Sequence, residues 1–191
     1  MSVALSAGFT DPVADAQRCF RAVLDAMARP GHLHKVRDLE PPPLLCGAAA
    51  AVLLTLVDHE TPLWVDPSSD AVRGWIEFHC GAPIVENPFD AAFVLAVSTP
   101  DLTGLDSGTY EMPERSATVI LTVDSLNKGD RYWLSGPGLR KPAALSVAGL
   151  PADFVEAWQR NHALFPRGID LVLCAGDTLT ALPRSVVIEK G

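Results

Sequence analysis

Asp90-Ala91-Ala92-Phe93-Val94-Leu95-Ala96-Val97-Ser98-Thr99-Pro100 is the stretch that decides the fold. Between its acid and its proline lies an unbroken apolar run, Ala92 to Val97. A strand with one wet face alternates apolar and polar residues. A strand with no alternation is covered on both faces and belongs inside a largely parallel sheet. Ile169 to Cys174 reads as a second buried strand, and Ala117 to Val123, β-branched and alternating, as a third.

Upstream of residue 90 the pattern is helical. Asp11 can cap a helix and Pro12 suits its first position. Val13, Ala16, Phe20, Val23, Leu24 and Met27 then recur on one stripe, until Arg29-Pro30-Gly31 ends the segment. His32 to Val36 reads as a short strand. Leu44 to Val57 reads as a strongly apolar helix containing Ala48 to Ala51. It is expected to be buried in the core or against a second chain. Thr61 to Val65 reads as a strand and Asp70 to Cys80 as a helix.

Downstream, residues 98–116 read as a long loop, and loops of that length are often functional. Arg131 to Leu134 and Leu139 to Val147 flank a Ser135-Gly136-Pro137-Gly138 turn. Pro151 to Leu164 reads as a helix, and Thr178 to Leu182 and Ser185 to Ile188 as closing strands. The expected fold class is α/β, a single three-layer αβα domain with a mixed sheet spanning residues 1–191.

Composition narrows the function. The 191 residues are 48% apolar and 20% charged, a core-forming mixture. Net charge is −8, so a basic coat for nucleic acid is excluded while a small anion held by a few arginines is not. The longest uncharged stretch, Pro41 to Val57, opens with three prolines and is too short for a membrane helix. Met1 to Gly8 has no basic residue and no apolar core of a signal peptide. Cys19, Cys46, Cys80 and Cys174 form no paired motif. They read as reduced thiols, and the chain is expected in the cytoplasm.

Arginine outnumbers lysine eleven to four, and several arginines lie beside or near a proline. Arg115, Arg167 and Arg184 are candidates to converge on an anion, because a guanidinium presents paired planar donors to carboxylate or phosphate. The bland alternative pairs each with an acid, for instance Arg167 with Asp170. Ser135 and Gly136 could offer backbone N–H groups to a phosphate oxygen, although a plain hairpin turn explains them too. His32 and His34 share a strand face but are too few for a structural zinc site, so no metal is expected. His79-Cys80, adjacent on a helix, point apart. There is no phosphate-binding glycine motif, no nucleophile elbow and no catalytic constellation.

Several ordered blocks carry a resemblance. They are Asp11 to Arg18 with Phe20-Arg21 and Met27 to Gly31; Leu53 to Leu56 with Thr61-Pro62-Leu63-Trp64; Phe78-His79 with Ala82-Pro83; Gly108-Thr109 and Pro113-Glu114; Leu134 to Gly138; Phe165 to Leu171; and Pro183-Arg184-Ser185. Together they resemble the PhnH family, the H subunit of the bacterial carbon–phosphorus lyase system, over nearly the whole chain. The resemblance implies a fold similar to the large domain of pyridoxal-phosphate-dependent transferases, without that cofactor or any other. It implies a homodimer and membership of a core complex with the G, I and J subunits. That complex forms alpha-D-ribose 1-methylphosphonate 5-triphosphate from ATP and methylphosphonate in phosphonate catabolism. On this view the chain is a binding and assembly component, an accessory subunit of a transferase, with ATP or a phosphonate as ligand. Arg184 fits the family pattern, and Ser185 stands where the family has threonine. No catalytic residue is carried over. The competing expectation is an autonomous enzyme or binding protein for a small phosphorylated metabolite.

Overall fold

The computed structural model describes residues 6–36 and 39–191. Helix α1 (Pro12–Ala28) starts as the sequence expects: Ala14 N–H donates to Asp11 Oδ1 at 3.1 Å, and Asp11 N–H returns to Asp15 Oδ2 at 2.9 Å. Its buried face differs from the expected stripe. Asp15, Cys19, Val23 and Ala26 point inward, whereas Val13, Phe20 and Leu24 are exposed. Small inward residues let α1 lie close to helix α2 (Gly47–Leu56), whose Ala48 to Leu53 are all buried. The buried Asp15 is paired with Arg18. Helix α2 begins three residues later than the sequence suggests. Leu44 turns left-handed at φ 75°, and the Cys46 Sγ accepts the Ala49 N–H at 3.5 Å as the cap.

Strand β1 (His34–Lys35) is the core of the expected 32–36 strand. Strand β2 (Leu63–Val65) is followed by a 3-10 turn over Pro67–Val72, which takes up the start of the expected helix. Helix α3 proper is Arg73–Cys80. Strand β3 (Phe93–Ala96) sits inside the deciding stretch. Residues 98–116 contain two short 3-10 turns. Strands β4 (Thr118–Thr122), β5 (Ser125–Ser135) and β6 (Ala143–Ala148) follow, then helix α4 (Phe154–His162) and strands β7 (Asp170–Ala175), β8 (Thr178–Leu182) and β9 (Val187–Lys190). The fifth strand starts six residues earlier than the sequence suggests. A bulge at Gly129, φ 97°, breaks its alternation, and a Cβ there would sit 2.4 Å from the Val147 carbonyl oxygen.

Six strands form one mixed sheet in the order β1-β8-β7-β4-β3-β2. Strands β2, β3, β4 and β7 are parallel, and β8 and β1 add antiparallel at one edge. The double burial expected of β3 is visible residue by residue. Leu95, Ile120, Val172 and Cys174 face the core beneath α1, α2 and α3, while Val94, Ala96, Val119, Leu121, Leu171 and Leu173 face the opposite core. That opposite core is closed by a three-stranded antiparallel sheet, β6-β5-β9, together with α4. Where the sequence leads one to expect helices on both faces, most of the second cover is β-structure. Leu134, Leu145 and Ile188 from the small sheet meet Phe154 and Trp158 from α4 there. The Trp158 Nε1–H also donates to the Val186 carbonyl at 2.8 Å, tying helix to sheet.

Candidate functional site

Parallel strands give the main sheet two chemically different ends. The strands β3, β4 and β7 begin at Phe93, Thr118 and Asp170. The candidate arginines gather at this amino edge, against the 106–116 loop. Arg184 follows β8, which runs antiparallel to β7 and so ends there. Its backbone N–H and Nε donate to Asp170 Oδ1 at 2.7 and 3.1 Å, and Nη2 donates to Asp170 Oδ2 at 2.5 Å. Nη1 reaches the Pro113 carbonyl at 2.7 Å. The pair is mostly buried, with side chains 14% and 18% exposed. Asp170 is therefore the partner of Arg184, not of Arg167. The Arg184 fork, as folded, is occupied by a carboxylate of its own chain.

Arg167 takes a different partner. Its guanidinium lies 4.7 Å above the Tyr110 ring, and its Nε is buried without a hydrogen bond. The Gly168 N–H donates to the Ser107 carbonyl at 2.9 Å, which fixes the 164–168 turn against the same loop. Arg115 lines a cavity of about 540 Å³ together with Asp90, Asp106, Glu114, Ser116 and Phe89. Three carboxylates surround one guanidinium there, so the cavity's own potential is negative. It opposes an anion unless the ligand brings its own cation.

Ser135 and Gly136 are not at this edge. Ser135 ends β5 in register with Val187, and the turn closes with a Leu139 N–H to Gly136 carbonyl bond at 3.2 Å. The turn lies against the end of α1: a Cβ on Gly138, φ 86°, would come within 2.1 Å of the Ala28 carbonyl oxygen. Close backbone packing accounts for its glycine. The structure thus brings Arg115, Arg167 and Arg184 to one edge and leaves Ser135 and Gly136 elsewhere. Of the two paired histidines, His34 points its Nε2 at Asp25, 3.2 Å away, and His32 is exposed. His79 turns its Nε2 to the Ser6 carbonyl at 3.0 Å, alongside the Trp75 Nε1–H at 2.9 Å, which pins the start of the described chain onto α3. Cys80 does not join it: burial pushes the Cys80 thiol up to about 11.

The carboxyl edge holds a second cavity, of about 500 Å³, lined by Lys35, Asp124, Ser125, Asn127, Gly176 and Thr178 among others. Open α/β sheets bind ligands beyond the carboxyl ends of their strands. The start of α2 arrives near this edge, with the Ala48 N–H on the Gly176 carbonyl at 2.8 Å. Lys35 is held by Asp177, Nζ to Oδ2 3.1 Å. Hydrogen bonds from Thr178 and Lys35 hold the Asp177 carboxyl below the usual range. The sequence reasoning missed this group. The signal was Asp124-Ser125 directly after the β-branched run of β4, the place where a parallel strand delivers polar side chains to a ligand. Cys46 stands near by, its Sγ 4.0 Å from Thr122 Oγ1; burial raises its thiol above the ordinary value. All four lysines are exposed, and Lys190 pairs with Asp130, Nζ to Oδ2 3.4 Å.

The comparisons with known proteins bear on the whole chain. Residues 7–189 match the family model described as bacterial phosphonate metabolism protein (PhnH). Over 191 residues the chain is 38% identical to the alpha-D-ribose 1-methylphosphonate 5-triphosphate synthase subunit PhnH of Rhizobium meliloti strain 1021, covering 97% of this chain and 96% of that one. It is also 32% identical over 180 residues to a protein of Stutzerimonas stutzeri named as a C-P lyase subunit, HtxG, covering 91% of this chain and 85% of that one. A match that runs end to end through both sheets and the arginine-bearing edge decides membership: the chain belongs to the PhnH family of bacterial phosphonate metabolism proteins.

Proposed function

We propose that the chain is a subunit of the complex that makes alpha-D-ribose 1-methylphosphonate 5-triphosphate, acting in it as a binding and assembly component with the G, I and J subunits. The observation that carries the reading is the 38% identity to a synthase subunit over nearly the full length of both chains. Two structural features support the assembly role. The Arg184 fork is spent on Asp170 and Pro113, and the cavity beside Arg115 is acidic, so neither reads as a ready clamp for a phosphorylated metabolite. That weighs against an autonomous enzyme. At the carboxyl edge Lys35, paired with Asp177 but with its side chain 77% exposed, lines the cavity we assign to ATP or a phosphonate.

The same proposal makes the chain a homodimer in the cytoplasm. Val13, Phe20 and Leu24, exposed along α1, supply apolar area for self-association. Four free cysteines suit a reducing compartment. The proposal also relates the scaffold to the large domain of pyridoxal-phosphate-dependent transferases without the cofactor. Four parallel strands beneath helices α1 to α3, and lysines that are all exposed, support it.

The test is reconstitution. The other synthase subunits, purified with and without this chain, are expected to form a stable complex and turn over methylphosphonate with ATP only when it is present. Full activity without it overturns the proposal, and so does unaided turnover by the isolated chain. Sedimentation of the isolated chain as a monomer overturns the homodimer.

A further inference from the structure

We propose that the cavity between the end of α1 and residues 138–143 of the small sheet binds a multiply charged phosphate anion, a diphosphate or triphosphate group. The inference rests on the reading of the chain as a binding component and adds the place and the chemical class of what it holds.

Charge carries the first step. The cavity, of about 490 Å³, is lined by Arg29, His32, Arg140 and Lys141. The chain carries 23 acidic residues against 15 lysines and arginines, yet no acid lines this cavity. Asp25 reaches one of the four, its Oδ1 accepting from Arg29 Nη2 at 2.9 Å. The side chains of His32, Arg140 and Lys141 have no partner among the described residues. A concave, all-cationic place on a molecule of net charge −8 concentrates anions locally. The carboxyl end of α1 lies here and by itself favours cations. It does not use these ones up, because neither Arg140 nor Lys141 donates to an α1 carbonyl among the described residues.

Close backbone packing carries the second step. A Cβ on Gly31, φ 83°, would come within 2.8 Å of Leu134 Cδ1, and one on Gly138 within 2.1 Å of the Ala28 carbonyl oxygen. The 29–31 and 135–138 turns are thus locked against each other, and the backbone that carries the four basic groups is set before a ligand arrives. The N–H groups of Gly138, Arg140 and Lys141 have no acceptor among the described residues, so they too are available as donors. The turn that the sequence offers to a phosphate through Ser135 and Gly136 serves one instead through Gly138 and the two cations after it.

Size and lining choose the ligand. The volume falls in the range of small-molecule sites. Arginine and lysine both partner phosphate, the first through paired planar donors. Several separate cations suit an anion whose charge is spread over two or three phosphoryl groups. A docked protein surface would ask for apolar or aromatic anchors. None of the exposed large apolar side chains lines this cavity. No carboxylate or thiol lines it either, so the site holds its anion without transforming it.

Calorimetry with the full chain and inorganic triphosphate is the test. One site is expected. The double variant Arg140→Gln, Lys141→Gln, at two exposed positions, is expected to weaken binding tenfold or more while the thermal midpoint without ligand stays put. Arg160→Gln, an exposed arginine of α4 outside the cavity, is expected to bind as the unmutated chain does. ATP binding no tighter than inorganic triphosphate marks a site for the anion alone. Tighter ATP binding that the double variant loses marks a nucleotide, and both results support the site. No heat with triphosphate, full affinity in the double variant, or an equal loss in Arg160→Gln overturns it. Sulfate competing on equal terms at matched ionic strength does so as well. A double variant that binds triphosphate normally but no longer assembles with the other synthase subunits marks an acidic partner surface and also overturns it. If the unmutated chain binds triphosphate but does not assemble, the subunit reading alone falls. A double variant that melts early is replaced by Arg140→Gln with the same outcomes.

Discussion

Arg184 shows how far a single residue can be read before its neighbours are known. Its place after a proline made it a candidate ligand of an anion, and it does bind one: the Asp170 carboxylate at the start of β7, with the Pro113 carbonyl as a further acceptor. The chemistry was legible and the partner was not, because Asp170 and Pro113 lie 14 and 71 residues away in sequence. Removing the guanidinium strands a mostly buried carboxylate and frees the 106–116 loop. Arg184→Ala is accordingly expected to destabilise the fold by about 2–3 kcal/mol, the size for losing charge-assisted hydrogen bonds from a partly buried pair. Urea unfolding measures it. A midpoint equal to that of the unmutated chain would mean that Asp170 is served by water and that the fork is available to a ligand after all.

At the scale of the element, an unbroken apolar run reports its own burial more directly than an amphipathic face does. Ala92 to Val97 announced a strand buried on both sides, and β3 is that strand. The largest apolar residues of α1 mark one stripe, yet Cys19 and Ala26 turn inward while Phe20 and Leu24 turn out. The reason lies in α2. Four consecutive alanines, all with no exposed surface, let the α1 backbone approach α2 closely, and at that short distance the facing side of α1 accommodates only small side chains. Local periodicity cannot report a neighbour's lack of volume. The same tightness makes a prediction: Ala50→Leu, at a fully buried position in α2, is expected to cost about 1–3 kcal/mol through overpacking. Thermal and urea midpoints check it. An unchanged or raised midpoint would show that α2 has space above it and that some other cause sets the inward face of α1.

Across the whole molecule, the sheet is common property of the two cores. Leu95 belongs to one and its neighbours Val94 and Ala96 to the other, and the same alternation runs through β4 and β7. Neither helical cover nor β-cover can leave without stripping one face of the same strands. Burial of apolar area is the main favourable term in folding, so a sheet with one naked face would lose much of what holds its strands together. The 191 residues are thus expected to unfold as one cooperative unit, although residues 125–148 look on paper like a separable hairpin. Urea transitions followed by far-ultraviolet circular dichroism and by tryptophan fluorescence are expected to coincide. Trp75 senses the core under α3 and Trp158 the core under α4. Native-state hydrogen exchange is expected to give the slowest amides of β5 and β6 the same opening free energy as those of β4 and β7. Earlier exchange across the whole small sheet would divide the chain into two units, with the arginine-bearing amino edge and its loops standing on the frame that survives.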